Sequence, residues 1–116
     1  MKKNGLILLT LFNVLVVSCK KQNSNNLDDI DCSTINSKYT ADIKLIIDAN
    51  CLGSGCHNAG SSKGDFTTYS GLKAIADDGS LEKKVITNQS MPPSSPLSLD
   101  DRKKIKCWIN SGSPKN

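Results

Sequence analysis

The chain has 116 residues, room for one small domain once a targeting segment is subtracted, so a large multidomain enzyme is excluded. Fifteen basic residues against 11 acidic ones give a net charge of +4, too mild and too scattered for a nucleic-acid binder. Hydrophobic content of 37% and aromatic content of 4% leave little for a conventional core, yet five cysteines are present. Something besides side-chain packing is expected to hold the fold.

Lys2 and Lys3 make a positive start, and Gly5 to Val17 is apolar apart from Thr10 and Asn13, which is the pattern of a signal-peptide core. A spanning helix needs about 20 apolar residues, so a permanent transmembrane segment is the poorer reading. The run closes in Val16-Val17-Ser18-Cys19, which resembles the bacterial lipobox. That resemblance implies a signal peptide over residues 1–18 and a lipidated Cys19 as the new first residue. The mature chain is then an exported lipoprotein anchored in a membrane of the bacterial cell envelope, facing the periplasm or the cell surface. Several acyl chains hold firmly, because each buried methylene adds about 0.8 kcal/mol and one chain binds only reversibly. The alternative is an ordinary secreted chain with a stray cysteine near its cleavage site.

Residues 19–38 are rich in Asn, Ser, Lys and Asp with no apolar period and read as a solvated linker. Thr40 can cap a helix whose Ile43, Ile46 and Ile47 form one stripe and which ends near Cys51. Leu52 to Gly64 is Gly/Ser-rich and irregular. Tyr69, Leu72, Ile75 and Ala76 then recur at helical spacing, with Gly79 placed to stop that helix. Ser80 opens a brief turn carrying Leu81 and Val85, and Met91-Pro92-Pro93 imposes an extended stretch that no helix continues through. Ser98 and Asp101 resemble a capping box before Ile105, Trp108 and Ile109, and Gly112 and Pro114 follow as stop signals. No strand alternation and no internal repeat is present, so the expected class is an all-α domain over residues 39–114. Such a domain is small for an unassisted core.

The chemistry concentrates in Cys51-Leu52-Gly53-Ser54-Gly55-Cys56-His57. A pair of thiols closed by an adjacent histidine is the attachment pattern of c-type haem: the thiols add across two vinyl groups, and the imidazole beside the second thiol ligates iron. Four residues separate the cysteines where the usual motif has two, and Gly53 and Gly55 give the extra residues freedom to bulge. On its own the segment also suits a disulfide, common in exported proteins. The context adds that His57 is the only histidine and Met91 the only methionine after the initiator. Met91 precedes two prolines that hold its thioether in a fixed loop, unlike a core methionine kept for its flexibility.

This arrangement of a helix running into a CxxxxCH segment, a later Met-Pro loop and a terminal amphipathic helix with an aromatic resembles the class I c-type cytochromes, in particular small monohaem domains of bacterial lipoproteins. The resemblance spans Tyr39 to Pro114. It implies a small helical domain around one covalent haem c, with Cys51 and Cys56 as thioether attachments, His57 as proximal ligand to iron and Met91 as distal ligand. It further implies that the last helix packs on the first.

With Cys19 given to lipid and Cys51 and Cys56 to haem, Cys32 and Cys107 remain as an even pair and are expected to bond in an oxidising compartment. Cys107 falls on the back of the last helix relative to Ile105, Trp108 and Ile109, so such a bond would pin the linker outside the core. Otherwise Cys107 is simply a small buried residue. Ile47, Leu52, Phe66, Tyr69 and Leu97 are the expected haem lining, and Trp108 a packing residue between the terminal helices. Arg102, Lys103, Lys104 and Lys106 read as a solvated helix face, while Lys63, Lys73, Lys83 and Lys84 could equally ring a haem edge and steer an acidic partner.

The functional expectation is a lipid-anchored electron carrier with His/Met ligation, exchanging single electrons with a redox protein and performing no turnover by itself. One alternative is a haem-free binding or interaction lipoprotein with two disulfides. Another is a structural zinc held by Cys51, Cys56, His57 and either Cys32 or Cys107.

Overall fold

The computed structural model describes residues 26–116, which contain helices and no strand. The expected signal peptide over residues 1–18, the expected lipidation site Cys19 and the first part of the expected linker lie outside the described residues. A π-helical turn, Tyr39–Ile43, runs directly into α1, Lys44–Asn50. Helix α2 spans Tyr69–Asp77, a second π-helical segment spans Glu82–Thr87, and α3 spans Leu99–Asn110. None of these is long and apolar enough to cross a membrane.

The apolar spacing that defines the first helix is realised, since Ile43, Ile46 and Ile47 are buried while Leu45 faces out at 63% exposure. Its start differs from the sequence expectation. Thr40 is not the cap: the Lys38 N–H donates to Asp42 Oδ2 at 3.1 Å, and the Thr40 hydroxyl instead donates to Asn116 Oδ1 at 2.8 Å. Entering the helix at Tyr39 lets that aromatic bury against the core, which outweighs a cap hydrogen bond worth about 1 kcal/mol.

Helix α2 begins where Thr68 Oγ1 accepts the Gly71 N–H at 3.1 Å. A Cβ at Gly71 would fall 1.7 Å from the Asp65 carbonyl oxygen, so only glycine lets the helix start press on that backbone. Leu72 and Ala76 turn inward, and Gly79 ends the helix at φ +79° as expected. The π-helical segment buries Val85 and Ile86 and ends at Thr87, shortly before Gln89 takes a positive φ of 49°. In α3 the expected cap is present, with Ser98 Oγ accepting the Asp101 N–H at 3.1 Å.

Trp108 joins the ends of the fold as expected of a packing residue. It is fully buried, its ring centroid lies 6.0 Å from that of Tyr39, and its Nε1–H donates to the Pro114 carbonyl at 2.8 Å. Tyr39 in turn meets Tyr69 edge to face, and the Tyr69 hydroxyl donates to the Ser113 carbonyl at 2.8 Å.

The Cys32–Cys107 disulfide is formed, with Cα atoms 5.5 Å apart. Its consequence differs from the expectation of a linker held outside the core. Leu27 is buried to 4% exposure and Ile30 packs beside it in the same apolar cluster as Ile43 and Trp108, so Cys107 is itself covered. The packed unit therefore starts ahead of residue 39, because the disulfide brings two otherwise isolated apolar side chains onto a ready surface. The basic cluster of α3 is likewise not a purely solvated face. Arg102 and Lys106 are buried along their stems, with Arg102 Nε donating to the Leu97 carbonyl at 3.3 Å and Lys106 paired with Glu82.

Candidate functional site

The Cys51–His57 loop leaves α1 without a break, for the Cys51 N–H donates to the Ile47 carbonyl at 2.8 Å. A tight turn follows, closed by the Cys56 N–H on the Gly53 carbonyl at 2.9 Å, with Gly55 at φ +74° in the third position. A type II turn requires a positive φ there, which glycine adopts without steric cost. The His57 N–H then returns to the Cys51 carbonyl at 3.1 Å. The two residues beyond the usual spacing are thus absorbed in a hydrogen-bonded bulge that keeps both cysteines and the histidine on one short loop. Three side chains brace it: Asn58 Nδ2 donates to the Gly53 carbonyl at 3.0 Å, Lys63 Nζ to the Gly55 carbonyl at 3.0 Å, and Ser61 Oγ to the Cys56 carbonyl at 2.7 Å.

The imidazole is fixed on two sides. His57 Nδ1 lies 3.2 Å from the Gly64 carbonyl oxygen, and since a carbonyl can only accept, Nδ1 carries the proton and donates. A neutral ring so bonded has its lone pair on Nε2, the form in which histidine binds a metal. One face of the ring stacks on Phe66, which the Phe66 N–H locks in place by donating to the His57 carbonyl at 2.9 Å.

This loop forms one wall of a cavity of about 380 Å³. Cys51, Cys56, His57 and Phe66 line it from one side. Ile75 of α2, Leu81 and Val85 form further wall, and Met91, Pro92 and Pro93 complete it. Met91 is held through its backbone, its N–H donating to the Lys84 carbonyl at 3.2 Å beside the Ser90 N–H at 2.8 Å on the same oxygen. All four residues singled out as cofactor ligands therefore border one space, although 40 residues of sequence separate Cys51 from Met91.

Of the five expected lining residues only Phe66 borders the cavity. Ile47 and Leu97 belong to the buried core, Leu52 packs against that core, and Tyr69 is turned toward Ser113. Ile75, Leu81 and Val85 take their place. Their helical spacing marked them as inward-facing, but which inward face meets the loop is decided by how α2 and the second π-helical segment pack.

Cys51 and Cys56 are free thiols. Burial, reinforced by the neighbouring Cys56, pushes the Cys51 thiol up to about 11, so it is protonated at neutral pH. Cys32 and Cys107 are consumed by their disulfide and cannot complete a tetrahedral zinc site with the other two. Among the described residues no group of three or more His, Cys, Asp or Glu side chains is placed to hold a metal ion. A larger groove of about 680 Å³ runs between residues 26–36 and α3, but polar and charged groups such as Asp31, Asp100 and Lys104 line it, with no thiol or imidazole.

The residues around the smaller cavity fit a covalently attached haem. Its volume lies within the roughly 300–1,000 Å³ of ligand sites, its walls are mainly apolar, and Cys51 and Cys56, both free, border it together with His57 and Met91. No protein-family model, curated protein or solved structure matches the chain.

Proposed function

We propose that the chain is a lipid-anchored monohaem c-type cytochrome that carries single electrons by outer-sphere transfer. In this reading Cys51 and Cys56 would hold the haem through thioether bonds, His57 Nε2 and the Met91 thioether would ligate its iron, and Cys19 would carry the lipid. When bound, the haem iron supplies reversible one-electron chemistry, at a potential that His/Met ligation raises. The protein's own residues fix the imidazole through the Gly64 carbonyl and Phe66, give the cavity an apolar wall with Ile75, Leu81 and Val85, and hold Met91 through the Lys84 carbonyl. The partner is another redox protein, and no turnover is assigned to this chain alone.

The observation that carries the reading is the shared border of Cys51, Cys56, His57 and Met91 on one mainly apolar cavity. The test is maturation in a host with haem-attachment machinery, followed by peroxidase staining of a denaturing gel. The wild-type chain should stain and the C51A/C56A double variant should not. Met91→Ala should keep its stain yet lose the ferric sulfur-to-iron band as its sixth position opens. An unstained wild-type chain would leave the haem-free disulfide-bonded lipoprotein as the better account.

A further inference from the structure

The stretch that follows Met91 makes almost no hydrogen bonds. Pro92, Pro93 and Pro96 have no N–H to give, and the Ser95 hydroxyl donates only to the neighbouring Pro96 carbonyl at 3.4 Å. Among the described residues a single hydrogen bond joins residues 92–97 to the rest of the fold, from Arg102 Nε to the Leu97 carbonyl at 3.3 Å. Ahead of that stretch the Lys84 carbonyl accepts the Ser90 and Met91 N–H groups. The loop that brings Met91 to the cavity is thus tied by hydrogen bonds at its two ends and at no point between them.

The donor at the far end is a buried cation. Arg102 is 6% exposed, its guanidinium stays charged at any working pH, and none of the four ion pairs among the described residues includes it. Its Nη1 is buried with no hydrogen-bond partner. Burying a charge without a counter-charge costs stability, and an apolar side chain of similar size would fill the place at lower cost. The register of α3 sets where it faces. Arg102 lies one turn before Lys106, which pairs with Glu82, so both point to the second π-helical segment from which the Met91 loop departs.

Resting on the haem reading above, we infer that Arg102 is a positioning residue for Met91: its bond to the Leu97 carbonyl holds the far end of the loop and so keeps the thioether at the cavity. Arg102 is not part of the cavity wall and acts through the chain between Leu97 and Met91. Three of the five residues in that interval are prolines with fixed φ, so a shift at Leu97 is passed along the loop rather than absorbed within it.

The experiment titrates the matured full chain with imidazole, which competes with Met91 for the sixth position, and follows loss of the ferric sulfur-to-iron band. Arg102→Met keeps an apolar stem in place and removes the donor. It should bind imidazole about tenfold more tightly than the wild type, because apparent affinity scales with the fraction of molecules whose sixth position is open. Arg102→Lys retains charge and donor and should stay within about threefold of the wild type. Cys32→Ser, which weakens the fold without touching the loop, should stay as close, so general loss of stability is told apart from release of Met91. As a measurement free of variants, exchange of the Arg102 Nε–H in the wild type should quicken several-fold once imidazole has displaced Met91, since the coupling is reciprocal. An Arg102→Met affinity equal to the wild type, an Arg102→Lys affinity equal to that of Arg102→Met, a Cys32→Ser shift as large as that of Arg102→Met, or an unchanged Nε–H exchange rate would overturn the assignment while leaving the haem reading intact. A wild-type chain that takes up no haem would overturn both.

Discussion

The His57 imidazole lies flat on the Phe66 ring, with centroids 3.9 Å apart and planes 2° from parallel. Because the Gly64 carbonyl holds Nδ1 at the same time, the ring has a set tilt as well as a set tautomer. Phe66 is thereby a positioning residue as well as a buried one. Phe66→Ala should lower the stability of the folded chain by about 3–5 kcal/mol. Phe66→Leu preserves most of the apolar volume and should cost less than about 1.5 kcal/mol. In the loaded protein Phe66→Leu should nonetheless change the ferric low-spin EPR g-values, with haem content unchanged. Identical g-values would mean that Phe66 packs without orienting the imidazole.

The widened loop depends on one glycine more than the other. Gly55 sits at φ +74°, a conformation that costs an L-residue about 1–2 kcal/mol, although a Cβ there would meet nothing within 4 Å. Gly53 is not in that region, and its Cβ would make an ordinary 3.6 Å contact with Cys56 Sγ. Gly55→Ala should therefore destabilise the protein by about 1–2 kcal/mol and Gly53→Ala by a few tenths, read from denaturant midpoints. The reverse order would show that the bulge is not built on Gly55.

The Cys32–Cys107 bond spans 75 residues of sequence, so its loss frees nearly the whole folded unit in the denatured state. Cys32→Ser should lower stability by about 2–5 kcal/mol. It should also release Leu27 and Ile30 from the core, visible as faster amide exchange in residues 26–36 and a lower melting temperature. An unchanged melt would mean that those residues dock without help from the disulfide.

In the haem-free chain the Cys51 thiol has its pKa raised to about 11 by burial. Only the thiolate reacts with iodoacetamide, so labelling of Cys51 should be slow at pH 7–8 and should climb as pH passes 10. The sign for stability is the same: the folded state holds its proton over a window in which the unfolded thiol, near 9, has lost it. Folding stability should accordingly fall as pH rises through 9 to 11. Peptide mapping that finds Cys51 fully labelled at pH 7 would contradict this placement.

Helix α3 was legible in its cap, its apolar face and its stop because these signals are local: the Ser98 hydroxyl cap, the Ile105 and Trp108 spacing, and Gly112 at φ +87°. The start of the first helix was not, since burial of Tyr39 and the bond from Thr40 to Asn116 are made across the whole chain length. The same holds for Leu27 and Ile30, two apolar residues in a polar stretch with no period to betray them. Their burial follows from the long-range disulfide. At the site, residue types and spacing marked Cys51, Cys56, His57 and Met91. The walls between them, Ile75, Leu81 and Val85, depend on tertiary packing that no local pattern encodes. The Gly64 and Phe66 contacts that fix the imidazole left no sequence signal beyond an aromatic nine residues after His57.

The most direct test is the pyridine haemochrome spectrum of protein matured in a competent host, because its α-band position reports how many haem vinyl groups have been saturated by thiols. The account predicts one haem per chain with both vinyls saturated, one by Cys51 and one by Cys56. A colourless preparation, or haem that extracts into acid acetone with both vinyls intact, would contradict it.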